Sequence, residues 1–159
     1  MKITQFILYH GSDVKVEHPA WDHGSKYLDF GQCFYTTYDR KTAEDWAEKH
    51  SVVHPLVSKY ALNLKSISSG TLKIKRFTAN EEWAKFVYNN RYNKDYRRPD
   101  YDIIVGPIAD RGLSAHFAKV DSGEKTFEEI ASLIVYDKYK SFQVTFCSDK
   151  SLKLLTYID

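Results

Sequence analysis

The run Phe30-Gly31-Gln32-Cys33-Phe34-Tyr35-Thr36-Thr37 passes almost directly into the charged segment Asp39 to His50. The change of period between them constrains the fold more than any other stretch. A glycine turn leads into a short apolar and β-branched segment, which favours a strand. Asp39 can then cap a helix in which Ala43, Trp46 and Ala47 recur at helical spacing, which puts Trp46 in the core. A strand edge that stops at a helix start offers one side chain to a cleft, and here that side chain is Tyr35.

The rest of the chain repeats this mixture. Ile3 to Tyr9 reads as a strand with Phe6 and Leu8 on one face, ended by His10-Gly11-Ser12. Asp13 to Asp29 reads as a loop lying over whatever His10 faces. Strands are predicted from Leu56 to Leu64 and from Leu72 to Phe77. Thr78 and Asn80 can cap a helix that carries Trp83, Ala84, Phe86 and Val87 on one face and runs to about Asn89. Asn90 to Pro99 is polar, basic and aromatic. It reads as a solvated connector, with a contact surface for phosphate and bases as the alternative. Ile103-Ile104-Val105 marks a buried strand, Ala115 to Val120 a short helix, and Thr126-Phe127-Glu128-Glu129 the capping box of another. Asp137 to Ser141 is a polar connector and Phe142 to Cys147 a strand. Leu152 to Ile158 fits a strand or a helix. No repeat or linker divides residues 1–159, so one α+β domain is expected.

Composition excludes several classes. With 43% hydrophobic and 28% charged residues the chain is globular, and its mean hydropathy of -0.50 argues against membrane insertion. No apolar run approaches the roughly 20 residues that span a bilayer, and Met1 to Gln5 lacks a signal-peptide core, so a cytoplasmic protein is expected. Cys33 and Cys147 sit in predicted strands and read as two reduced, buried thiols. The formal charge of +2 decides nothing about nucleic acid, whereas 12 tyrosines allow stacking surfaces for a base or a nicotinamide ring. His18, His23, His50, His54 and His116 lack ligand spacing, so no metal site is expected. There is no phosphate-binding glycine loop of the Walker or Rossmann kind.

Three distant stretches belong together. Tyr9-His10-Gly11-Ser12, then Phe30 to Tyr35 with Lys41-Thr42-Ala43 behind it, then Ser141-Phe142-Gln143-Val144-Thr145-Phe146, resemble in order and strand context the three motifs of NAD-dependent ADP-ribosyltransferases. The similarity is to the diphtheria-toxin and poly(ADP-ribose) polymerase branch. The whole chain is also similar to a bacterial family of small ADP-ribosyltransferase-like domains of unknown function. In that family the third position is usually glutamine and the genes often lie beside that of a small partner protein. The resemblance implies two packed, mainly antiparallel sheets with helices around them and an NAD cleft between.

It also implies roles. His10 would hydrogen-bond the adenosine ribose, and Gly11 and Ser12 would border the cofactor. Tyr35 would stack on the nicotinamide, Thr42 would lie near its amide, and Gln143 would face the reacting ribose. The chemistry needs such groups, because cleaving the nicotinamide–ribose bond develops positive charge on the sugar. Gln143 stands where the branch carries glutamate, keeping a hydrogen bond but not the charge. At an effective dielectric of about 20, opposite charges about 4 Å apart attract by about 4 kcal/mol, so slower transfer is expected and chain elongation is argued against. The implied function is mono-ADP-ribosyl transfer from NAD to a protein or nucleic acid, as a bacterial toxin or defence effector restrained by a small antitoxin-like protein. The alternative is an inactive module that binds NAD, ADP-ribose or nucleic acid.

Overall fold

The computed structural model describes residues 5–109, 112–135 and 141–159. Seven strands form one sheet: β1 (Gln5–Ser12), β2 (Phe34–Thr37), β3 (Leu56–Asn63), β4 (Ile74–Arg76), β5 (Ile103–Pro107), β6 (Phe142–Phe146) and β7 (Leu155–Tyr157). They lie in the order β4-β5-β6-β2-β1-β3-β7. The β4–β5 pair is parallel and the others are antiparallel. The class is α+β, but one sheet replaces the two that were expected.

The physical reason lies at the centre of that sheet. β1 pairs with β3 along its whole length, and β2 pairs with β6 along all of its own. Between β1 and β2 there is a single register pair, Tyr9↔Thr37. Two well-laddered halves are thus joined at one point, and the backbone between them forks toward Ser12 and Phe34. His10-Gly11-Ser12 does not end the first strand as expected; it belongs to it, because its partners Ser58, Val57 and Leu56 continue the ladder.

Six helices flank the sheet among the described residues: α1 (Arg40–His50), α2 (Leu64–Ile67), α3 (Glu81–Tyr92), α4 (Leu113–Asp121), α5 (Phe127–Ile134) and α6 (Asp149–Leu152). The predicted caps form. Asp39 accepts from the Thr42 N–H at 2.9 Å, Asn80 from the Trp83 N–H at 3.1 Å, and Thr126 and Glu129 close a capping box. The C-terminal segment resolves into α6 followed by the edge strand β7. One core cluster, including Phe30, Trp83, Phe86, Ile104, Phe117 and Ile130, lies under α3, α4 and α5. The other joins Leu8, Phe34, Tyr60, Leu62 and Phe146.

The two cysteines are not free thiols: Cys33 and Cys147 are disulfide-bonded, with Cα atoms 4.4 Å apart. The strand register explains the pairing. Phe34 lies opposite Phe146 at the end of the β2–β6 ladder, and one further step brings residue 33 beside residue 147. Disulfides persist in oxidising compartments, so the bridge pulls against the cytoplasmic expectation. Among the described residues no helix is long and apolar enough to cross a membrane. Residues 1–4 with the start of the predicted first strand at Ile3, residues 110–111, and residues 136–140, which hold all of the predicted polar connector Asp137 to Ser141 but Ser141, lie outside the described residues.

Candidate functional site

Alternation along a strand sends neighbouring side chains to opposite faces. His10 therefore shares a face with Leu8 and Phe34, whereas Tyr35 and Gln143 share the other with Ile104. In an unbroken sheet they would not meet. The fork lets both faces reach one cavity of about 680 Å³, bordered by His10, Gly11, Ser12, Tyr35 and Gln143. That volume falls within the range of about 300–1,000 Å³ usual for small-molecule clefts.

His10 spans the fork. Its Nδ1 lies 2.7 Å from the Tyr35 carbonyl oxygen, which can only accept, so Nδ1 carries the hydrogen. Nε2 is left as an acceptor when the ring is neutral. Burial holds the imidazole pKa below its usual 6.5 and nearby His50 adds to this, while the bond to the Tyr35 carbonyl works the other way. The ring packs on Phe34 at a centroid distance of 4.4 Å. His10 thus offers an acceptor of fixed orientation.

Gly11 is required by packing. A Cβ there would stand 2.0 Å from the Ala43 carbonyl oxygen and 2.7 Å from the Ala47 nitrogen, both backbone atoms of α1. Its missing side chain is what lets the helix lie directly on β1. The Ser12 hydroxyl donates to the Val14 carbonyl at 2.7 Å, turning the chain out of the strand.

Tyr35 presents a ring rather than a hydroxyl. Its Oη donates to the Gly31 carbonyl at 2.7 Å and accepts from the Phe30 N–H at 2.9 Å. Burial first, and the charge of Asp29 second, push the phenol far above the usual tyrosine range. It therefore stays protonated at working pH and is no acid or base. The rigidly tethered ring is suited to stacking.

Two expectations change. Thr42 does not border the cavity: it is 1% exposed, and its hydroxyl donates to Asp39 at 2.5 Å within the helix cap. Trp46 is not a core residue but a half-buried one that lines the cavity, since α1 crosses β1 closely enough to bring its C-terminal half over the fork.

Gln143 lies on β6, opposite Thr37 on one side and Gly106 on the other. It is 2% exposed, and its Nε2 donates both to Asp29 Oδ2 at 2.9 Å and to the Pro107 carbonyl at 3.0 Å. Asp29 is the residue that sequence reasoning missed. It is buried, and its Oδ1 receives Arg91 Nε and Nη2, each at 2.6 Å. Its Oδ2 also accepts from the Ala109 N–H at 3.2 Å.

The basic stretch accounts for much of this order. Asn90 donates to the carbonyl oxygens of Asp29 and Phe86. Arg98 donates to the Phe30 carbonyl at 2.6 Å and approaches Cys33 Sγ at 2.9 Å. α3 runs past Asn89 to Tyr92 and carries Asn90 and Arg91 into these contacts. Three residues of the basic stretch, Asn90, Arg91 and Arg98, thus clamp the segment Asp29–Cys33 from inside. The interleaving of Arg and Asn with apolar spacing on a long helix was the available signal, but nothing in the sequence names the partner.

The cavity brings together the aromatic rings of Tyr35 and Trp46, the side chains of Lys49, His18 and His23, and the polar groups of His10 and Gln143. Among the described residues no three His, Cys, Asp or Glu side chains gather as a metal-binding set.

Residues 6–157 match a sequence family described as "Protein of unknown function (DUF3990)". No curated protein and no solved structure matches the chain.

Proposed function

The chain belongs to the DUF3990 family, and from the chemistry of its forked sheet we propose that it is a mono-ADP-ribosyltransferase using NAD as substrate. One observation carries the reading. His10, Tyr35 and Gln143 come from three distant stretches that resemble the transferase motifs, and all three border a single cavity. In this reading NAD lies bent in the fork with its nicotinamide against the Tyr35 ring. His10 Nε2 accepts from the adenosine ribose, and Gln143 accepts from a hydroxyl of the ribose that reacts. The bond between the ribose carbon and the nicotinamide nitrogen breaks, and nicotinamide leaves neutral with the bonding electrons. A nucleophile of the acceptor forms the new bond at that carbon and gives up its proton. The acceptor is a protein or a nucleic acid, and growth inhibition relieved by a small antitoxin-like protein is the role that the resemblance implies.

A second reading has its own support. The carboxylate nearest Gln143 is Asp29, and Arg91 neutralises it. A site without an uncompensated negative charge suits binding of NAD or ADP-ribose better than stabilisation of a cationic sugar. Binding of nucleic acid through the basic stretch has less behind it, since Arg91 and Arg98 are turned inward.

Incubating the protein with labelled NAD and cell extract, beside His10→Ala and Gln143→Ala, separates these readings. Label that is lost in both variants supports transfer, and its sensitivity to protease or nuclease identifies the acceptor class. Saturable NAD binding without label supports the binding module. Neither label nor binding defeats both.

A further inference from the structure

We infer that Asp29 is a positioning residue that fixes the orientation of the Gln143 amide, so that glutamine, not glutamate, is the residue this site is built to hold. The inference rests on the transferase reading only in taking the hydroxyl-bearing ligand to be a ribose. Asp29 Oδ2 and the Pro107 carbonyl oxygen both accept, at 2.9 and 3.0 Å from Gln143 Nε2. Both amide hydrogens are thereby used. Turning the amide over would set its oxygen against two other oxygens, which leaves one orientation. In that orientation no described residue donates to Oε1, and because Gln143 borders the cavity, Oε1 is the amide atom left to a ligand there.

The position therefore presents a lone-pair acceptor, matched to a hydroxyl of the ligand, and repels a phosphate or carboxylate. An ionised glutamate at 143 could not reproduce it. An ionised carboxylate would lie against Asp29 Oδ2 and a carbonyl oxygen, and two carboxylates at that distance share a proton rather than both ionising. The charged and titratable groups around the pair are Arg91, which binds the far oxygen of Asp29, Tyr35 and His10 on the strands beside it, and Arg98 behind the loop. Arg91 is already committed to Asp29 and offsets only part of the second charge. Simple recovery of the branch's glutamate predicts that Gln143→Glu speeds transfer; the pairing with Asp29 predicts the reverse at neutral pH.

Three measurements test the assignment. In the unaltered protein, both Gln143 Nε2 hydrogens should exchange with solvent slowly by NMR; rapid exchange overturns the assignment without any variant. In Gln143→Glu, carbon-detected titration should show an apparent carboxyl pKa for the pair above about 6, against about 4.3 for an ordinary glutamate. A value near 4.3 overturns it. Calorimetric titration with NAD should show the affinity of Gln143→Glu relative to the unaltered protein falling at least about tenfold between pH 5 and pH 8, because only while the pair shares a proton can the substituted carboxyl stay against Asp29 with its second oxygen turned outward. A pH-independent ratio overturns it. Using the ratio removes any titration of His10 common to both proteins. If the unaltered protein binds no NAD, the transferase reading fails, while hydrogen exchange and the carboxyl titration still decide the role of Asp29.

Discussion

At the scale of single residues, the site depends on groups whose free choice has been removed. Tyr35 has both hydrogen-bonding capacities of its hydroxyl occupied, Gln143 both amide hydrogens, and His10 its Nδ1 hydrogen. What remains beside the cavity is a ring face, a carbonyl oxygen and an imidazole lone pair, which the proposed function assigns to the ligand. This is preorganisation by hydrogen bonds to groups behind the site. It has a pH consequence at His10. Because burial keeps the folded-state pKa of His10 below 6.5, the unfolded chain binds more protons as pH falls through 6.5. The contribution of neutral His10 to stability is therefore present above pH 6.5 and lost progressively below it. Denaturant melts of the native protein and of His10→Gln at pH 8 and pH 5 should show the native protein losing more stability on acidification than the variant. Equal losses would mean that His10 is solvated and titrates like a free imidazole.

At the scale of elements, the segment Asp29–Cys33 is held by a helix and a loop that follow it far along the chain. Asn90 and Arg91 at the end of α3, and Arg98 beyond it, supply donors to its carbonyl oxygens and carboxylate. Replacing Arg91 by Ala leaves Asp29 buried and unpaired. Loss of one partner from a fully buried pair costs about 3–5 kcal/mol, and the 29% exposure of the Arg91 side chain brings the expected loss to about 2–3 kcal/mol in urea melts. Arg91→Ala with unchanged stability would show that water can replace the guanidinium. The sequence made the elements legible because their signals are local: Asp39, Asn80 and Thr126 each cap within a single turn. The resemblance likewise brought His10, Tyr35 and Gln143 together. What stayed hidden depends on register between distant strands. The fork follows from β1 and β2 sharing one pair while each has a longer ladder elsewhere, and no period in either segment encodes that. Asp29 reads in sequence as a charged loop residue, and Trp46 as an apolar position on a helix. Only the crossing of α1 at Gly11 turns Trp46 toward the cavity.

At the scale of the whole molecule, the halves of the sheet meet at one register pair, so the links that bypass the fork matter for its shape. The Cys33–Cys147 bridge ties the loop that carries Asp29 to the end of β6, across a sequence separation of 114. Cys33 itself borders the cavity. Closing so long a loop removes much of the freedom of the unfolded chain. The chain-entropy relation gives about 4–5 kcal/mol for a loop of roughly this length, before any native-state strain. For a domain of 150–250 residues, each kcal/mol corresponds to about 2–4 °C in Tm, so reduction should lower Tm by about 8–20 °C. The Cys33→Ser, Cys147→Ser double variant should melt at the temperature of the reduced protein and be indifferent to reductant. Alkylation of the denatured protein should find two thiols only after reduction. A Tm unmoved by reductant, with both thiols alkylated in its absence, would return the chain to the two reduced, buried thiols expected from its sequence. A drop in Tm together with weakened NAD binding would instead tie the bridge to the cavity, because the segment released at Cys33 is the one that holds Asp29 against Gln143.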